Sequence, residues 1–477
     1  MSDLWRRPAR EVVALLEARE ITPDEAIDSV LERIAAVEPA VNALPTLCVE
    51  RARERAKRLP EPAADGRGWL AGLPVVIKDL VEVEGVRTTY GSPIHADHVP
   101  DRSAFEVERL EAHGAVVLAK SNTPEFGAGA NTFNEVLGIT RNPWDTRLTC
   151  AGSSGGAAVA LATGTAWLAD GSDVGGSLRT PAAFCGIVGL RPSPGRVPSG
   201  PSNLPFDPLP VEGPMARDVR DLALMLDAMA GFDARDPLSF DAPAEAFAKA
   251  VERPPALRKI AWSPDLGGIT PVDPEIAAIC ATAAARFADL GAVVDEARPD
   301  LRRSEEVFTA LRAARFAYSK APQLSEHRDL LKPEIVWNIE HGLSLTPGEI
   351  GRAERERAAM QQRMAAFLSD YDLLLTPAAV APPFPVEQRW LETLNGHRFP
   401  SYIDWVAIAY AITLTGCPAL SLPCGFTRAG LPVGLQIVGP PRGEAKLLAA
   451  AAALEDVLGL AGSVPIDPRV RHESAQP

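Results

Sequence analysis

The chain has 477 residues, of which 46% are hydrophobic and 23% charged, the balance of an ordinary globular protein. This excludes a disordered or fibrous chain, and the length allows two to four domains or one large α/β domain, at about 100–200 residues per domain. The net charge is −14 and the pI near 5.1. Such a surface repels phosphate backbones, so nucleic acid is not an expected partner. Only eight lysines occur, at 57, 78, 120, 249, 259, 320, 332 and 446. The six cysteines, at 48, 150, 185, 280, 417 and 424, form no CxxC pair and no zinc spacing. They read as reduced, mostly buried thiols of a cytoplasmic protein.

No apolar signal core follows Met1–Arg7. Thr22-Pro23-Asp24-Glu25 is a helix start, with Thr22 as cap, Pro23 at the first helical position and Glu25 completing a capping box. Ala26, Ile27, Val30, Leu31 and Ile34 continue it at helical spacing. Residues 72–81 read as a buried strand, Leu73-Pro74-Val75-Val76-Ile77, running into Lys78-Asp79. Residues 105–113 read as a helix and 115–119 as the next strand, and the alternation recurs at 276–290 and 292–294. That pattern predicts a sheet layered with helices. Leu148 to Ala169 is uncharged and long enough to span a bilayer, but its Gly, Ser and Thr content argues against a membrane helix. The Pro-rich stretches 194–214 and 377–385 read as loops with apolar residues interleaved, and the last ten residues as a low-complexity tail. No phosphate-binding glycine loop occurs.

Residues 149–195 carry the chemistry. Gly152-Ser153-Ser154-Gly155-Gly156 leads into a small-residue helix, and Asp170-Gly171-Ser172-Asp173-Val174-Gly175-Gly176-Ser177-Leu178-Arg179 follows. Glycines flanking serines let backbone N–H groups turn inward as a nest for an oxyanion. Gly152–Gly156 also fits G-x-S-x-G, which would make Ser154 the nucleophile of an α/β-hydrolase-like esterase. That reading needs a histidine base, and His327, His341, His397 and His472 have no marking context. The other candidate base is Lys78, whose ammonium form burial behind Leu73–Ile77 would disfavour; the plain alternative is a lysine paired with Asp79. His95-Ala96-Asp97-His98 lacks further ligand context and reads as a surface loop, not a metal site.

The chain resembles the amidase signature family. The likeness rests on Gly152–Gly156 through Gly175-Gly176-Ser177-Leu178-Arg179-Thr180-Pro181 to Gly186, and on Gly72–Asp79. Lys120–Phe126, Arg141-Asn142-Pro143-Trp144, Thr415–Pro423 and Gly430–Gln436 extend it over nearly the whole chain. The resemblance implies one α/β domain over 1–477, with a mixed twisted sheet covered by helices on both faces. Its signature core would be 70–215, and residues 216–477 would complete the sheet and cap the site. It implies Ser177 as nucleophile, Ser153 as a bridging serine with a cis peptide bond, and Lys78 as base. The N–H groups of Val174, Gly175, Gly176 and Ser177 would form the oxyanion hole, with Ser154, Asp173 and Arg179 in support.

The implied activity is hydrolysis of amides, anilides, carbamates or esters through an acyl-enzyme, without metal or organic cofactor. A small-molecule substrate is expected, and a monomer or homodimer without membrane attachment. The family also holds an amidotransferase subunit that works with partner chains. That branch usually carries Gln after the signature Arg and Lys-Pro-Thr-Tyr-Gly-Arg further on, where this chain has Thr180 and Arg191-Pro192-Ser193-Pro194-Gly195-Arg196. A stand-alone amidase is therefore the expectation. The pocket is expected from Phe126, Gly127, Ala128 and Gly129, and from Leu204, Phe206 and Leu209. Neither loop has an Arg or Lys cluster, which predicts neutral, apolar or aromatic substrates over acidic ones.

Overall fold

The computed structural model describes residues 3–470, so His472 and most of the expected tail lie outside the described residues. Eleven strands form one mixed sheet. From one edge they run Thr46–Leu47, Val116–Ser121, Pro74–Lys78, Leu168–Asp173, Val211–Ala216, Val188–Arg191, Ala419–Phe426, Pro432–Val438, Leu373–Pro377, Lys259–Trp262 and Val293–Glu296. Pro74–Lys78 is parallel to both its neighbours, and the next pairings, through to Pro432–Val438 with Leu373–Pro377, are antiparallel. Lys259–Trp262 is again parallel to both its neighbours. Residues before and after 216 thus share one sheet and one continuous apolar core.

The local signals fold as their chemistry dictates. Thr22 and Glu25 close a reciprocal capping box on the helix Pro23–Val41, satisfying donors that the first turn leaves free. The pairs read at 105–119 and 276–294 become helix Phe105–Ala112 with strand Val116–Ser121, and helix Pro274–Ala285 with strand Val293–Glu296. The strand read over 72–81 is the shorter Pro74–Lys78, every residue of it buried. The uncharged stretch 148–169 splits into a loop, the buried helix Gly155–Thr163 and the start of a strand. Among the described residues no helix is long and apolar enough to cross a membrane. All six cysteines are free thiols, five of them buried.

Two loop assignments are corrected, the smaller being Pro377, which ends the strand Leu373–Pro377 and not a loop. Residues 211–214, read as the end of a Pro-rich loop, belong to the inner strand Val211–Ala216. Proline argues against an inner strand because it cannot donate to the ladder. Here the pairing with Val188–Arg191 involves only Met215 and Ala216, so Pro214 needs a partner on one side alone.

Candidate active site

Lys78 ends a fully buried strand, and its backbone N–H donates to Asp170 Oδ1 at 2.6 Å. Its Nζ lies 2.7 Å from Ser153 Oγ, 2.8 Å from Ser154 Oγ and 3.0 Å from Ser172 Oγ, so all three of its partners are hydroxyls. Burial pushes the Lys78 ammonium down to about 8, outweighing Glu212, Asp170 and Asp173, which favour the charged form. Asp79 is not its partner. That carboxylate accepts from Thr89 and stands 3.6 Å from Lys120, a second buried lysine, which also donates to Val81 O and Thr88 Oγ1.

The serines are presented by two turns. The Gly152–Ser153 peptide is cis, and the Ser154 N–H donates to Ser177 O at 3.2 Å, tying the turns together. Ser153 and Ser177 line one cleft of about 530 Å³. Ser177 Oγ makes no hydrogen bond to a described residue, so the direct contacts join Lys78 to Ser153 but stop short of Ser177. Ser154 is fully buried, does not line the cleft, and is bonded to Lys78 and to the Ser172 backbone. None of His327, His341 and His397 lines the cleft either. These positions oppose the Ser154–His reading.

Asp173 shapes the second turn. Its carboxylate accepts from the N–H groups of Gly176 and Leu178 and from Arg179 Nε and Nη2. Arg191, unforeseen in the sequence, stands 3.4 Å away. Burial alone would raise the Asp173 carboxyl, but Arg179 and Arg191 hold it well below the usual carboxylate range. Arg179 is itself anchored by Gln436, Thr413 and Ala409 O. The Gly176 N–H is therefore committed to Asp173, which corrects the expected set of four oxyanion donors. Val174, Gly175 and Ser177 keep backbone N–H groups without a partner among the described residues.

The chain belongs to the amidase family. The family model matches residues 25–448. This amidase is similar to an acylamidase of Rhodococcus erythropolis, 36% identical over 467 residues, covering 96% of this chain and 97% of that protein. It is also similar to a glutamyl-tRNA(Gln) amidotransferase subunit of Moorella thermoacetica, 36% identical over 480 residues, covering 95% and 97%. Among solved structures it superposes on 6-aminohexanoate cyclic dimer hydrolase with a TM-score of 0.89 at 28% identity, covering 97% and 99%. A bacterial aryl acylamidase of the amidase signature family gives a TM-score of 0.87 at 28% identity, covering 96% and 99%.

The expected pocket is brought together only in part. Phe126, Gly127 and Leu204 line the cleft of this amidase. Ala128 is instead buried in a small core with Phe316, Leu331, Ile335 and Ile339, and Gly129 faces Lys332. Leu209 packs into the core, and Phe206 is 73% exposed outside the cleft. Between them Asp207 accepts from Arg315 Nε and from the Leu209 N–H. His95 and His98 pack around Tyr90, and His95 also packs on Phe126; their rings are half-buried rather than freely exposed.

The charged lining was not foreseen. The two loops carry no basic cluster, but the helix Ser304–His327 brings Arg312, Arg315 and Lys320 to the cleft, and Arg102, Glu82, Glu106 and Glu212 line it as well. The available signal for Ser172 was the strand alternation, which puts Asp170 and Ser172 on one face, both in contact with Lys78. The helix residues lie more than a hundred positions downstream and have no local signal.

Proposed function

We propose that this amidase cleaves amides by a Ser177–Ser153–Lys78 relay through an acyl-enzyme. The observation that supports the reading is the 2.7 Å contact between Lys78 Nζ and Ser153 Oγ at the base of a cleft that Ser177 also lines. Neutral Lys78 accepts a proton from Ser153 as Ser153 accepts one from Ser177. Ser177 Oγ then attacks the carbonyl carbon. The oxyanion is received by the N–H groups of Val174, Gly175 and Ser177. The relay returns the proton to the departing nitrogen as the C–N bond breaks, and water releases the acyl group by the same route.

Leu80, Phe126, Leu204 and Phe316 contribute an apolar strip of the lining, in which Phe126 and Phe316 also carry the cations Lys320 and Arg312 over their rings, and they support amides or anilides with an aliphatic or aromatic part. Carbamates and esters present the same carbonyl to the same nucleophile. The reading extends to a cytoplasmic enzyme working alone, as monomer or homodimer, on the sequence grounds given above. The likeness to an amidotransferase component supports a second reading, in which the chain acts with partner proteins. Gel filtration of the purified chain with an amide-release assay separates the two. For the relay, the test is mass spectrometry of wild type and Ser177→Ala after mixing with an anilide. An acyl adduct in wild type that is absent from the variant is expected. An adduct persisting in the variant would sink the assignment.

A further inference from the structure

The antiparallel pairing of Leu168–Asp173 with Val211–Ala216 sets Glu212 directly opposite Ser172. Directly opposed residues share a face of the sheet, so the Glu212 carboxyl rises on the side where Ser172 Oγ meets Lys78. Helix Phe105–Ala112 contributes Glu106, only 2% exposed, and both carboxyls line the cleft that holds Ser153 and Ser177. Glu106 Oε2 and Glu212 Oε2 are buried and have no hydrogen-bond partner among the described residues. Among the basic groups lining the cleft, Arg102 is exposed and without a partner among the described residues, whereas the others and Lys78 are engaged. Lys78 is spent on three hydroxyls, Arg315 is bonded to Asp207, Arg312 to Asn338, and Lys320 lies over the Phe126 ring at 4.2 Å. Burial raises both carboxyls well above the usual carboxylate range, and Glu212 further raises Glu106.

We infer that Glu106 and Glu212 form a subsite for an ammonium group carried by the amide substrate, next to the reacting serines. This rests on the amidase reading above and specifies its substrate. A buried carboxylate is stabilised by a hydrogen-bonded cation and disfavoured without one. An ammonium group carries three N–H donors, enough in number for both unpartnered oxygens. The chain between ammonium and carbonyl rests on the apolar strip.

The test compares ω-aminopentanoyl anilide with hexanoyl anilide, in which a methyl replaces the ammonium, and the corresponding pair with the group on the amine side. Wild type is expected to favour the ammonium member of at least one pair about tenfold or more in kcat/KM, and Glu106→Gln to reduce that ratio about tenfold. Pentylammonium is expected to inhibit hexanoyl anilide hydrolysis by wild type where pentanol does not, a measurement that needs no variant to fold. Preference for neither ammonium substrate, a ratio unchanged in both Glu106→Gln and Glu212→Gln, or equal inhibition by pentanol would overturn the subsite. Hydrolysis of hexanoyl anilide by wild type reports on the relay separately. If no amide is cleaved, calorimetry of pentylammonium binding still decides the subsite.

Discussion

Lys78 Nζ and Ser153 Oγ stand 2.7 Å apart although 75 residues separate them in the chain. The strand Pro74–Lys78 delivers the lysine from the sheet, and the turn before helix Gly155–Thr163 delivers the serine. Hydroxyls satisfy the amine without neutralising it, and burial lowers the cost of its uncharged form. That combination supports a base at neutral pH.

Removing relay members is expected to be severe. Ser177→Ala, Ser153→Ala and Lys78→Ala should each lower kcat by about a thousandfold or more. Ser177→Ala retaining above about a tenth of the wild-type rate would exclude Ser177 as the nucleophile. Ser154→Ala tests the competing elbow. Ser154 is out of the cleft, so acyl-enzyme should still form in that variant and be detectable by mass spectrometry.

The pH profile follows from the sign of the Lys78 shift. Lys78 is lowered to about 8, and its neutral form is the base, so kcat/KM should rise with pH through about that value. Glu212 favours the ammonium form of Lys78. Glu212→Gln should therefore move the rising limb to lower pH. A limb that stays put or moves upward in that variant would contradict the coupling.

Asp173 and Arg179 are both fully buried and paired at 2.9 Å. Asp173→Ala strands Arg179 and Arg191 and should cost about 3–5 kcal/mol of stability. Thermal unfolding of the variant checks this. The folded carboxyl titrates below its ordinary value of 3.8, so its contribution is complete above that pH. It is lost only as pH falls toward the folded value. A Tm equal to wild type would show that the pair contributes nothing.

Gly127 adopts φ +71°, and a Cβ there would sit 2.9 Å from Leu80 Cδ1 and 3.5 Å from Ser153 Oγ. Gly127→Ala should destabilise by about 1 kcal/mol from the backbone alone. The added methyl narrows the approach to Ser153, so kcat/KM should fall about tenfold. Full activity with lowered Tm would mean that substrate approaches from elsewhere.

Short-range patterns in the chain were enough to carry the family resemblance and the sheet-and-helix class, and the resemblance set Ser153 beside Lys78, whereas Ser172 joined them only through the fold. Thr22 to Glu25 is a capping box within four residues, and the apolar run before Lys78 buries any strand that carries it. Gly and Ser in two turns within thirty residues encode their backbone shape locally. Which donors and which walls the site has was settled only by long-range packing. The Gly176 N–H is removed from the oxyanion set by Asp173, a choice enforced through Arg179 by Gln436 and Thr413, over two hundred residues away. Phe206 and Leu209 look like pocket residues in sequence, yet in the fold one is exposed to solvent and the other is packed in the core. Glu106, Glu212 and the cations of helix Ser304–His327 meet only because sheet pairing and helix packing converge on one cleft. Charge and polarity at a site are sums over groups distant in the chain, and no local pattern records that sum.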